Sequence, residues 1–244
     1  MPSTSTYSVT RDQIITSALR KLGVLELGDT PDAATIANAT LILNLMVKQW
    51  QSDGIKLWTT TEYTLPFVAS QNAYTVGPAI TNDLVADRPM KLIQAWLRNS
   101  TVTPAIDTPL QILSKQEYNI LGSKFSTGVS NSVYMSPDTT YSTLRFYLTP
   151  TAAQVAMYTV RFVARRPLYD ILNPADTPDF PNEWMQSLVW GLADQLALEY
   201  SVPLNHRTEI ANKAMTYKDQ MEGWDVEAES TFFVPDMRMG MGRG

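Results

Sequence analysis

Paired carboxylates are the first chemistry that this chain of 244 residues offers. Asp53 and Glu62 bracket the step from one patterned segment to the next, and two such groups can act as the acid and the base or nucleophile of a glycosidase. Each also has an ordinary reading: Asp53 near a helix end, Glu62 on a solvated strand face. A serine hydrolase would have to use His206, the one histidine. It stands at a helix start just after Pro203 and reads as a capping or surface residue. Cysteine is absent, which removes thiolate nucleophiles, thiolate metal sites and disulfides together. The close-set glycines Gly240, Gly242 and Gly244 lie in the last residues, not between a strand and a helix where a phosphate cradle forms. No catalytic, cofactor or metal site is expected.

Charge narrows the remaining classes. The formal net charge is −5, so the chain as a whole is no basic nucleic-acid binder. The acidity is uneven: Asp179, Glu183, Asp194, Glu199, Glu209, Asp219, Glu222, Asp225, Glu227 and Glu229 face only Arg207, Lys213 and Lys218 in the same stretch. No apolar run is long enough to span a bilayer. Residues 1–8 lack a charged-then-apolar layout, so the expectation is a soluble protein made inside a cell.

Two helices open the chain. Thr10 and Gln13 form a capping box, Ile14, Ile15, Ala18, Leu19 and Leu22 recur at helical spacing, and Gly23 stops the helix. The second helix is expected to start with Thr30 as cap and Pro31 in the first turn. Its stripe is Ile36, Thr40, Leu43, Val47 and Trp50, widened by Ala37, Leu41 and Leu45, and Gly54 ends it. A stripe that wide implies contacts on more than one side.

From about residue 58 to 166 the pattern changes to short alternating runs separated by turn residues, a β signature. Residues 61–67 and 73–76 read as strands around a turn at 70–72, and 92–97 as a third. Leu144, Phe146 and Leu148, then Tyr158, Val160 and Phe162, read as two strands joined in a hairpin by residues 150–154. Ser114 with Glu117 starts a short helix.

Helices return at Pro181. Trp184, Met185, Leu188, Val189, Leu192, Ala193, Leu196 and Ala197 recur every four residues, and Gly191 is small enough for close approach by a neighbour. A last helix over about 205–223 carries Ile210, Ala214, Tyr217, Met221 and Trp224. The expected fold is α+β: a four-helix bundle from the terminal hairpins (1–57 and 167–224), an inserted antiparallel β lobe (58–166) and an extended arm (225–244). Trp50, Trp184 and Trp224 read as core. Trp190, on the opposite face, is a candidate for contact with another subunit. Arg165 and Arg166 stand at the junction as solvated groups, partners of local acids, or an intersubunit ion pair. The arm places Phe232, Phe233, Val234, Met237, Met239 and Met241 for contact with a partner or neighbour.

The helical ends resemble the head-to-tail adaptor proteins of tailed bacteriophages. Residues 18–24 (ALRKLGV) and 50–55 (WQSDGI) are similar to that family's first helical hairpin. Residues 147–150 (YLTP) resemble its proline-ended strand, and 179–184 (DFPNEW), then 192–197 (LADQLA) with Tyr200, its third helix. The resemblance implies a structural virion protein and no enzyme. It implies a homo-oligomeric ring, commonly of twelve subunits, beneath the portal protein and joined to the tail nozzle, with tail fibres or spikes as further partners. Double-stranded DNA would pass without sequence-specific contact during ejection, and assembly would occur in the host cytoplasm. Glu209, Asp219 and Glu222 would then suit a channel wall that repels phosphates. Rival readings are a neck or tail-completion protein at another level of the tail axis, a tail-borne peptidoglycan hydrolase, and a carbohydrate-binding β module.

Overall fold

Thr10 closes the expected capping box. Its hydroxyl accepts from the Gln13 N–H at 3.4 Å, and Gln13 Oε1 accepts from the Thr10 N–H at 3.0 Å. Helix α1 (Arg11–Lys21) follows, and Gly23 takes the left-handed conformation, φ 73°, that turns the chain out of it. In this computed structural model, which describes residues 7–54 and 59–224, helix α2 (Ala33–Asp53) is capped by Asp32 rather than Thr30. The Asp32 carboxylate accepts the Thr35 N–H at 2.7 Å, and this bond lowers the pKa of Asp32.

The strand-rich part contains β1 (Thr60–Pro66), β2 (Ala73–Gly77), β3 (Leu84–Val85), β4 (Lys91–Asn99), β5 (Ile106–Pro109), β6 (Gln111–Leu113), β7 (Ser132–Pro137), β8 (Ser142–Tyr147) and β9 (Tyr158–Arg165). Two short helices interrupt it, α3 (Lys115–Ile120) and α4 (Ala152–Met157). Ser114 and Glu117 form the capping box of α3 as expected. The strands make a four-stranded sheet, order β1-β9-β4-β5, and a five-stranded sheet, order β3-β2-β8-β7-β6. Inward side chains from both sheets, among them Tyr63, Leu97 and Phe162 from one and Tyr74, Leu144 and Phe146 from the other, share one core. Phe146 meets Phe67 edge-on at 5.1 Å, and Tyr63 lies flat on Phe162 at 5.0 Å. The Tyr74 hydroxyl accepts from the Val68 N–H at 2.9 Å and has the Gln71 and Val68 carbonyls as acceptors for its one proton, which pins the turn between the sheets.

Helix α5 (Met185–Leu196) and helix α6 (Leu204–Trp224) complete the chain. A second core joins α1, α2 and α5 through Ile14, Leu19, Leu43, Val47, Leu188 and Leu192. Trp50, Phe180 and Trp184 pack with centroids 5.9 to 6.4 Å apart. Gly191 makes this approach possible, because a Cβ there would stand 2.8 Å from Trp50 and 2.9 Å from Met46 Sδ. The segment before α5 straps the first two helices. Asn44 exchanges two hydrogen bonds of 2.9 Å with the Ile171 backbone, Lys48 reaches the Leu168 carbonyl at 2.6 Å, and Arg11 donates to the Leu172 carbonyl.

Three expectations are corrected here. The helices do not form a four-helix bundle carrying one antiparallel lobe. Helix α5 packs on each of α1, α2 and α6, whereas α6 lies mainly along α5 and reaches the end of α2 through Lys218, which pairs with Asp53. The reason is chemical: Ile210 is fully buried on α6, but Leu204 and Met215 are exposed and the helix is otherwise largely polar. The strand-rich part, in turn, is two sheets with parallel pairs at β2·β3 and β6·β7. The hairpin expected at 150–154 is also absent. β8 belongs to the five-stranded sheet and β9 to the four-stranded one, with α4 lying in the crossing between them.

Candidate functional site

The candidate carboxylates are each held by a base. Asp53, at the end of α2, accepts from Gln49 at 2.9 Å and from Lys218 of α6 at 3.1 Å. Glu62, on β1, pairs with Arg161 of the adjacent strand β9 at 3.0 Å. Their partners belong to different parts of the fold, so the two acids serve as separate struts. His206 is exposed at the start of α6. Among the described residues no group of three or more His, Asp or Glu is placed to hold a metal ion, and no helix is long and apolar enough to cross a membrane.

Trp190 is partly buried in its own chain. Its ring stacks on Tyr217 of α6 at 6.4 Å, with Lys21 4.2 Å and Lys213 4.9 Å from its centroid. A tryptophan with two ammonium groups this near its ring gains from both, because the ring face is electron-rich. Arg166 grips Asp179 with both terminal nitrogens and lies 4.5 Å over the Tyr169 ring. The hydrogen bond to Asp179 raises the pKa of Arg166 above its ordinary value. Arg165 is half-buried beside Gln51, Met90 and Lys91, around a small cavity of about 210 Å³. Its Nε has no hydrogen-bond partner among the described residues.

Glu209, Asp219 and Glu222 are exposed on α6. Glu209 pairs with Lys213 at 2.9 Å and Glu222 with Lys218 at 3.5 Å, so lysines one turn away offset two of the three charges. Phe232, Phe233, Val234, Met237, Met239 and Met241 lie outside the described residues, as does the Trp224 side chain.

Surface that the residue pattern did not reveal lies on α2. Leu41 and Leu45 are 59% and 60% exposed, although their types and spacing read as part of a covered stripe. Ala34 and Ala37 extend the same open face. The missing cover follows from α6 resting mainly on α5 and meeting α2 at its end, where Lys218 pairs with Asp53. On α6 itself Leu204 and Met215 are open as well. Two different helices therefore present apolar surface with no partner inside the described chain, in an arrangement suited to contacts with other copies or other proteins.

No curated protein matches the chain. Residues 9–228 match the family model described as SU10 adaptor protein. The chain belongs to this family of phage adaptors, structural components of the virion, as the resemblance at its helical ends implied.

Proposed function

We propose that the chain is a head-to-tail adaptor that assembles as a ring beneath the portal, joins it to the tail nozzle and lines or seals the DNA channel. The observation that carries this reading is the open apolar surface on two separate helices of a chain whose residues 9–228 match the adaptor family. A closed ring repeats one heterologous contact, in which a patch on one copy meets a different patch on the next. Leu41 and Leu45 on α2 supply one side and Leu204 and Met215 on α6 the other. Twelve copies is the number common in the family.

In this reading the helical parts, 1–57 with 167–224, dock on the portal. The strand-rich part, 58–166, reaches toward the nozzle and any fibres or spikes. The arm, 225–244, lays Phe232, Phe233, Val234, Met237, Met239 and Met241 on the portal or on a neighbour. The open edge of Trp190 and the guanidinium of Arg165 stand near the junction between copies, with Arg166 supporting them from its pair with Asp179. Glu209, Asp219 and Glu222 face the passing DNA. With Lys213 and Lys218 beside them the wall is close to neutral, which keeps phosphates from adhering. The protein does this work without catalysis.

Mixing the purified chain with the portal ring and counting copies by native mass spectrometry tests the proposal. A monomer or weak oligomer alone and a defined ring on the portal are expected. Monomer after mixing overturns it. Lysis of peptidoglycan in a zymogram, lost in Asp53→Asn and Glu62→Gln, would favour the hydrolase instead.

A further inference from the structure

The outer face of the five-stranded sheet gathers bases that are far apart in the chain. Arg145 on β8 projects from that face between Tyr134 of β7 and Ala73 of β2, its register partners. Helix α3 is stapled above it by Tyr118, whose ring stacks on Tyr134 at 5.4 Å and 25°. The loop after α3 folds back over the same face. Lys124 donates to the Asn119 and Leu121 carbonyls and lies 5.6 Å over the Tyr118 ring, and Asn72 donates to the Lys124 carbonyl at 3.3 Å. The result is a cleft of about 390 Å³ lined by Lys115, Asn119, Lys124, Phe125, Tyr134 and Arg145 among others, with no acid in its wall.

The neighbouring acids are occupied elsewhere. Glu117 reaches back to the Ser114 N–H at 2.7 Å, and Asp83 is held by Thr75 and Gln71. Lys115 and Arg145 have no ion-pair partner among the described residues. Three cations in one concave site are unusual on a chain of net charge −5, and they select an anion. The rest of the lining selects its shape. Phe125, 80% exposed, and Tyr134 offer ring faces to the C–H side of a pyranose, and the Asn119 amide can donate to and accept from hydroxyls.

We propose that this cleft binds an acidic saccharide, a short run of uronic acid units whose carboxylates meet Arg145, Lys115 and Lys124 while a sugar ring packs on Phe125 and Tyr134. Arg145 supplies a planar fork matched to a carboxylate, and a cleft of this volume suits a ligand of a few rings. A single-stranded nucleic acid is less well served, because it needs a basic track along its backbone, and Asp83 and Asp138 stand along the same sheet. The site stands on the strand-rich part alone and does not depend on ring formation, so its test is independent of the adaptor reading.

Titrating the full chain with trigalacturonate, maltotriose, hexaglutamate and a thymidine hexanucleotide, by calorimetry or ligand-observed NMR, tests it. Trigalacturonate is expected to bind with a Kd of about 0.1–1 mM, and neutral maltotriose at least about tenfold more weakly. Arg145→Gln and Phe125→Ala should each weaken trigalacturonate by about tenfold while the melting temperature holds, and Arg20→Gln on α1 should change nothing. The proposal is overturned by no saturable trigalacturonate binding up to about 10 mM, by unchanged binding in Arg145→Gln, or by tighter binding of the peptide or oligonucleotide in the same cleft.

Discussion

Arg166 and Asp179 join two ends of the fold. The guanidinium at the exit from β9 takes the carboxylate just before α5 with both terminal nitrogens, and the two side chains are only 14% and 19% exposed. A pair this buried is costly to break from one side, because the charge left behind has lost its water. Asp179→Ala should therefore lower stability by about 3–5 kcal/mol in urea unfolding. The double change Arg166→Met with Asp179→Leu should recover most of the loss, since neither charge then remains.

Gly191 sets the distance between α5 and α2. A methyl group there meets Trp50 at 2.8 Å and Met46 Sδ at 2.9 Å, closer than carbon atoms approach without displacement. Gly191→Ala gains helix propensity, yet the clash should dominate and cost about 1–3 kcal/mol. The Trp50 fluorescence maximum should shift to the red if the indole is pushed outward.

Trp190 separates two roles by substitution. Its stack on Tyr217 and its contacts with Lys21 and Lys213 tie α6 to α5 and α1. Trp190→Ala should free α6 and lower stability by about 2–3 kcal/mol. Trp190→Phe keeps a smaller ring in the stack and should cost less. If that variant folds normally but no longer assembles on the portal, the remaining surface of the indole serves another subunit.

Leu41 and Leu45 should behave in the opposite way. Both are largely exposed in the single chain, so Leu41→Lys with Leu45→Lys should shift unfolding by no more than about 0.5 kcal/mol. The same two charges placed in a heterologous interface would abolish ring formation, read as loss of the ring by native mass spectrometry. Unchanged assembly would remove this face from the interface.

Asp194, on α5, offers a pH test. Burial raises its pKa above the ordinary 3.8, against the lowering influence of Arg207. The folded chain thus holds the proton to higher pH than the unfolded chain does. This contribution is fullest below the ordinary value and is lost as pH rises through the raised one. Asp194→Asn should be more stable than the parent at neutral pH, and the advantage should shrink to nothing as pH falls below about 4. A constant difference across that range would show that Asp194 is not desolvated.

What could be read from the residues is what is local. The Thr10–Gln13 and Ser114–Glu117 boxes formed as written, because both partners lie within one helical turn and nothing distant competes. The apolar repeat of α5 and the inward alternation of Leu144 and Phe146, or Val160 and Phe162, also hold, since period alone dictates which side chains share a face. Folding through space settled the rest. Alternation says that β8 and β9 each have a buried side but not which sheet each joins, so the expected hairpin became a crossing between sheets. Likewise Leu41 carries the same apolar chemistry as Leu43. The two stand on opposite sides of α2, and helical period separates them without saying which side is covered. Helix α5 packs on the Leu43 side and leaves Leu41 open, a choice made by long-range packing. Lys115, Lys124 and Arg145 become one cleft only after strand pairing and the α3 staple bring them together.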